Sequence, residues 1–272
     1  MSALTFTLKA HPQQRVDLSP LTPQRLAGKS ARDIAAVQLQ SGNRRVAVAD
    51  LFQVRGADYN DIVIRNSCAR LDRIGEGNVS GRIRVFGDAG AYLGFAMRGG
   101  ELLLSGNAGA YAAGHFLGGK LLIEGDAGDF LCAALPGEHQ GMRGGMVIVR
   151  GNAGDRVGDH MRRGVVLVHG NAGAYCGSRM GAGTIAVLGG SGVLPGYAMR
   201  RGTLLFKTAP SQLPVTFNDC GEHHLTVLNL LLRALASVDP AFVKAWPAGA
   251  PVRRLVGDLA GGGKGEILLC AA

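Results

Sequence analysis

The sequence predicts an all-β fold, a parallel β-helix of about seven coils, and three observations predict it. A glycine motif recurs at a nineteen-residue period, a short apolar run follows each copy, and glycine makes up 43 of 272 residues. That much glycine in a chain with 47% apolar residues calls for a geometric reason, and a repeat of tight corners is one.

The motif opens at Gly87, Gly106, Gly125, Gly151, Gly170 and Gly189, with spacings of 19, 19, 26, 19 and 19 residues. Further positions keep the register: Met97, Phe116, Met161, Met180 and Met199, then Gly100, Gly119, Gly164, Gly183 and Gly202. In the fourth unit Met142 and Gly145 fall into line once seven extra residues are allowed. A degenerate earlier unit starts near Cys68 and keeps Gly75 and Gly81.

Apolar triplets follow the late glycines at 102–104, 121–123, 147–149, 166–168, 185–187 and 204–206. Leucine and β-branched runs bounded by glycine read as strands. A helix is excluded because each interior glycine costs about 1 kcal/mol. Nineteen residues are also too few for a strand–helix–strand unit, but they suit one coil rising about 4.8 Å.

Each position then has a role. Asp88, Asn107, Asp126, Asn152 and Asn171 share one register, where their side chains close turns and ladder between coils. The methionines read as plugs of an irregular interior, because no thiolate or histidine shares their register. The middle residue of each triplet points outward: Leu103, Leu122, Ile148, Leu167, Ala186 and Leu205, with Arg84 in the first coil. A row of outward apolar side chains implies a covered face. The cover is the chain's own C-terminal helix or a partner subunit.

Residues 1–60 lack the repeat and read as an N-terminal cap, with strands at 4–8 and 45–51 and a helix at 31–37. The repeat occupies 61–207, and residues 208–272 form a C-terminal extension with a helix at 222–236. A glycine-rich tail at 257–266 lacks the full phosphate-loop pattern, since Gly265 follows Lys264.

Composition bounds the function. The net charge of +9 points to an anionic partner, and the 6% aromatic content with no recognition motif argues against nucleic acid. Five cysteines without a C-x-x-C pair argue against a disulfide framework or zinc ribbon. No signal peptide or membrane-spanning run is read, so a cytoplasmic location is expected.

No catalytic or metal-binding constellation stands out locally. Cys220, His223 and His224 amount to half a metal site and read as an ordinary helix start. His115 and His160 share a register in non-adjacent coils. The strongest signal is basic: Arg98, Arg143, Arg162 and Arg200 each follow a core methionine, and Arg163 and Arg201 stand beside two of them. These arginines form either a solvated corner ladder or an anion-binding and docking edge. The seven-residue insertion, which holds residues 136–139, carries contacts or acts as a steric spacer.

The unit Gly151-Gly154-Gly158-Met161-Gly164-Val166-Val168, repeated as Gly170-Gly173-Gly177-Met180-Gly183-Ile185-Val187, resembles the C subunit of formylmethanofuran dehydrogenase. That component is shared in form by the bacterial formyltransferase/hydrolase complex of methylotrophs. The repeat is also similar to the C-terminal glycine-repeat domain of the glutamate synthase large subunit. Ala113 and Cys132 depart from the third glycine, and Phe116 replaces a methionine.

The resemblance implies a right-handed β-helix that holds formyltransferase and amidohydrolase-like subunits together in tetrahydromethanopterin- and methanofuran-linked one-carbon metabolism. Catalytic residues would lie on those other subunits, and this chain alone would bind no cofactor. The furan-type carriers of such complexes bear glutamyl chains, so a polyglutamylated carrier is an expected contact of the arginine corner. Two alternatives stay open: the C subunit of a molybdenum or tungsten formylmethanofuran dehydrogenase, and a standalone glutamate-synthase-type glycine-repeat module.

Overall fold

The computed structural model describes residues 2–246 and 249–270. Its main feature is a sheet of 13 strands, most of them parallel. The parallel stack runs Ala3–Leu8, Asp58–Ser67, Arg82–Gly87, Glu101–Leu104, Lys120–Ile123, Arg143–Val149, Arg163–Val168, Thr184–Val187, Thr203–Phe206 and Gly265–Cys270. Equivalent residues of successive repeats face one another, as in Leu102↔Leu121 and Val166↔Ile185. A second column of bridges joins Ala89, Ala108, Ala127, Ala153, Ala172 and Ser191. The chain therefore winds as a solenoid, consistent with a parallel β-helix. The segments before residue 61 and after residue 207 both add strands to the repeat sheet.

The sequence columns become physical columns. Oδ1 of Asp88 accepts from the Asn107 N–H at 2.8 Å, and Oδ1 of Asn107 accepts from the Asp126 N–H at 2.8 Å. The chain of bonds continues through Asp126, Asn152 and Asn171, so one side chain per coil satisfies a backbone donor of the next. Met97, Phe116, Met142, Met161 and Met180 are fully buried beside Leu102, Leu104, Val147 and Val166. Gly164 has φ +111°, and a Cβ there would lie 2.5 Å from the Met142 methyl. The corner is closed to any side chain both by its backbone and by its neighbour.

A less expected column consists of bulky residues in the left-handed region: Tyr92, Tyr111, Phe130, Arg156 and Tyr175, with φ between 59° and 63°. Such conformations cost about 1–3 kcal/mol each outside glycine. Stacking offsets part of that cost. The rings of Tyr111 and Phe130 lie 4.7 Å apart and 4° from parallel, and the Arg156 guanidinium sits 4.7 Å from the centre of the Tyr175 ring.

The outward apolar row lies under the chain's own C-terminal helices. Ile148, Leu167, Ala186 and Leu205 form a second core with Leu228, Leu232 and Leu235 of the helix Thr226–Leu235, and with Phe242 and Trp246 in and just after the helix Pro240–Lys244. Of the two covers expected, the chain's own helix is the one that lies over Ile148, Leu167 and Leu205. Leu122 stays half-buried at the margin of this core, and Leu103 is half-buried outside it.

Two further expectations change. Residues 45–51 divide into the strand Arg44–Ala47 and the helical turn Val48–Leu51, because the Asp50 carboxylate accepts from the Ala47 N–H and starts a helix. Residues 220–223 belong to the exposed strand Asn218–His223, paired antiparallel with Val252–Gly257, and the helix begins only at Thr226. Leucine periodicity in 225–235 extended the helix expectation backwards over polar residues with no such pattern.

Asp239 fastens the helices to the coils. Its side chain is fully buried and accepts from Arg150 Nη1 at 2.8 Å and from the Phe242 N–H at 2.9 Å, with His169 Nε2 at 2.7 Å. Burial pushes its pKa up, but the bonds from His169, Phe242 and Arg150 outweigh burial and hold it below the usual carboxylate value.

Gly164→Val is expected to destabilise by roughly 2 kcal/mol or more in thermal denaturation; an unchanged midpoint would disprove the closed corner. Leu167→Asp buries a carboxylate under the helices and is expected to cost about 4 kcal/mol, whereas half-exposed Leu122→Asp is expected to cost about 1 kcal/mol or less. Urea melts of the two variants check the contrast, and equal losses would show that the helices do not form the cover. The depressed Asp239 pKa gives stability that is present above the ordinary value of 3.8 and lost as pH falls below it through the lowered folded value. Asp239→Ala is expected to cost about 3 kcal/mol and to expose the helix amides to hydrogen exchange at neutral pH as acid does in the parent. Protection of those amides unaltered by the substitution would rule out the fastening role.

Candidate functional site: a cationic cleft beneath the inserted loop

The seven residues that lengthen the fourth repeat form a loop folded over the arginine corner. Its ends are tied to the next coil: the Ala134 N–H donates to the Asp159 carbonyl at 3.1 Å, and the Gly141 N–H to the His160 carbonyl at 3.0 Å. Glu138 reaches back to His115, and the His139 ring meets the His160 ring edge-on at 5.6 Å between centres. The loop thus bridges the coils of His115 and His160, which the repeat alone keeps apart.

Two cavities flank this loop and share His160 and Arg179 in their walls. The larger, about 590 Å³, is lined by His139, His160, Arg162, Arg179, Arg200 and Gly261, among others. The smaller, about 330 Å³, has Tyr111, Phe130, Arg156 and the loop residues Leu135, Pro136 and Glu138 in its walls.

Of the six arginines singled out from sequence, Arg162 and Arg200 meet in the larger cavity. Arg98 sits farther along the corner, separated by Leu117, and Arg143, Arg163 and Arg201 are exposed outside the cavity walls. The ladder pairs Arg143 with Arg163 and not with Arg162, because Gly144 and Gly145 add one residue to the strand and form a bulge. The corner is therefore an interrupted column.

The partners differ in kind. Arg179 is neutralised: its Nε and Nη2 donate to the buried carboxylate of Asp159 at 3.0 and 2.5 Å, and Ser178 Oγ donates to the same group at 2.6 Å. Arg162 donates from Nη2 to the His139 carbonyl at 3.0 Å, which leaves its charge uncompensated. Among the described residues no acidic side chain lines the larger cavity. Burial lowers the His160 pKa, so at neutral pH its imidazole is a neutral wall between the guanidinium groups. The geometry suits an anion held by charge-assisted hydrogen bonds, and among the described residues it supplies no nucleophile beside a base.

Arg179 and Asp159 were not picked out from the sequence. Arg179 belongs to a neighbouring column, Ala96, His115, His160, Arg179 and Ala198, which shares φ between 51° and 58° but no side-chain type, so no sequence register marks it. The other local candidates are accounted for structurally. His223 and His224 bond to the carbonyls of Cys220 and Gly249, and among the described residues no group of three or more His, Cys, Asp or Glu is placed to hold a metal ion. In the glycine-rich tail, Asp258 accepts from the Ala198 and Ala260 N–H groups, which brings Gly261 to the cavity rim. No helix among the described residues is long and apolar enough to cross a membrane.

Comparison with known proteins agrees with this architecture. The GXGXG motif family matches residues 67–221. Among curated relatives, the C subunit of the tungsten-containing formylmethanofuran dehydrogenase 2 of Methanococcus maripaludis is 33% identical over 95 residues, 34% of this chain and 35% of that one. The C subunit of the formyltransferase/hydrolase complex Fhc of Methylorubrum extorquens is 40% identical over 89 residues, 33% of this chain and 34% of that one. The alignments thus span about a third of these curated relatives. A chain in the crystal structure of the formyltransferase/hydrolase complex (FhcABCD) from Methylorubrum extorquens, in complex with methylofuran, superposes with a TM-score of 0.93 at 40% identity, covering 98% of this chain and 100% of that one. The chain therefore belongs to the GXGXG motif family and is a relative of the C subunits of formylmethanofuran dehydrogenase and of the formyltransferase/hydrolase complex.

Proposed function

We propose that this chain is the non-catalytic scaffold subunit of a formyltransferase/hydrolase complex in tetrahydromethanopterin- and methanofuran-linked one-carbon metabolism, acting in the cytoplasm. The observation that carries the reading is the likeness at 40% identity over 98% of the chain to a component of such a complex. The arrangement supports it: the coils stack in one continuous, mostly parallel sheet that offers a long surface to neighbouring subunits. The reading includes a right-handed parallel β-helix of about seven coils, bounded by a cap at 1–60 and a helical extension at 208–272.

Two surfaces meet the other subunits in this reading. Leu103 and Leu122 extend the apolar face beyond the helices and offer a docking edge for a neighbour. The arginine corner faces an acidic partner surface or the glutamyl chain of a furan-type carrier, whose carboxylates match the guanidinium fork.

Purification of the native chain with mass spectrometry of its companions tests the assignment. Formyltransferase and amidohydrolase-like subunits are expected, and a flavin synthase partner would replace the reading with the glutamate-synthase one. Leu122→Asp is expected to weaken co-purification while leaving the chain folded. Combined replacement of Arg143, Arg162 and Arg200 by glutamine is expected to reduce assembly or carrier retention at low ionic strength, and raised salt should narrow the difference. A triple variant indistinguishable from the parent at both ionic strengths would reduce the corner to a solvated ladder.

A further inference from the structure

The larger cavity exists because two side-chain columns each skip a beat. One column runs Arg162, Gly181, Arg200, and the other His160, Arg179, Ala198, with backbone bonds linking each coil to the next. At Gly181 an added Cβ would lie 2.7 Å from Arg162 Nη1 and 3.0 Å from its Cδ. The Arg162 side chain therefore lies across the glycine, toward the coil that carries Arg200. Gly181 has no left-handed φ to explain it, so space for the guanidinium is its structural role. The short side chain of Ala198 opens the same wall in the adjacent column.

The electrostatics are one-sided. Asp159 neutralises Arg179, and no described residue in the cavity wall neutralises Arg162 or Arg200. Two like charges directed into one cavity repel unless an anion or water screens them. Their coils lie two rises apart, about 9.6 Å along the solenoid. Arg162 leans across Gly181 toward the Arg200 coil, so the two forks stand nearer than their backbones, and two uncompensated cations are matched by a ligand with two anionic groups.

We infer that this cavity is a binding site for a ligand bearing two oxyanionic groups, carboxylate or phosphate, one held by Arg162 and the other by Arg200, with Gly181 making the room. The inference stands on the cavity itself and not on the carrier assignment above. Its roof is the inserted loop, through the His139 carbonyl that orients Arg162, and its rim is the glycine turn at Gly261. The extra residues of the fourth repeat and the glycine-rich tail thereby serve one place in the molecule.

Calorimetric titration of the full chain with tetraglutamate, with pyrophosphate and with acetate as a one-group control tests it. Saturable one-to-one binding of tetraglutamate or of pyrophosphate is expected, about tenfold or more tighter than acetate and weakening with salt, and whichever binds identifies the oxyanion. Arg162→Gln and Arg200→Gln are each expected to weaken binding about tenfold, and Gly181→Leu to weaken it as much by displacing Arg162. Gly181→Ala, a milder intrusion, is expected to give an intermediate loss with an unchanged melting profile. Failure of both probes to bind, or acetate binding as tightly, overturns the inference. Loss in Arg98→Gln and Arg143→Gln with none in Arg162→Gln and Arg200→Gln also overturns it, while leaving the broader carboxylate reading of the corner intact.

Discussion

Each coil of this protein is held by the backbone of the coil before it. The parallel ladder demands that every turn return to the same height and register, so the repeat has no freedom to vary at its corners. Gly164 and its equivalents lie where a Cβ would strike a methionine methyl or a carbonyl of the preceding coil. The aspartate–asparagine column satisfies the donors that the turn leaves open. Given that constraint, side chains stack on their own equivalents, and properties that are periodic in sequence become stripes in space.

The stripes explain which features were legible in the sequence. Glycines, methionines and apolar triplets report on single columns, and those columns became corner, core and strand. What stayed hidden depends on relations between columns or between distant segments. Asp239 lies 89 residues from Arg150 along the chain, and no periodicity joins them. Arg179 lay in a column whose members alternate between alanine, histidine and arginine, so composition hid a shared left-handed backbone. The arginine corner was recognisable as a register, but its interruption at Gly181 and the bulge at Gly144–Gly145 decide which members meet.

The inserted loop and the C-terminal helices are the two departures from regularity, and each covers something the repeat leaves open. The helices remove apolar middle residues from water on the sheet face. The loop spans several coils at the corner and brings Glu138 and His139 to His115 and Arg162. The regular part supplies an evenly spaced ladder, and the departures supply local chemistry at chosen rungs along it.

The closing strands have a consequence for the molecule as a material. At one end Phe52–Arg55 runs antiparallel to the stack, and at the other Val252–Gly257 does so and is paired in turn with the edge strand Asn218–His223 through a register shift between Asp219 and Glu222. A bare parallel edge would template another copy, and copies would add head to tail without limit. Reversed strands, a kink and acidic side chains at the rim break the pattern that a second solenoid would have to continue. At either rim a second solenoid would thus meet an interrupted ladder in place of a regular parallel one, which disfavours end-to-end addition.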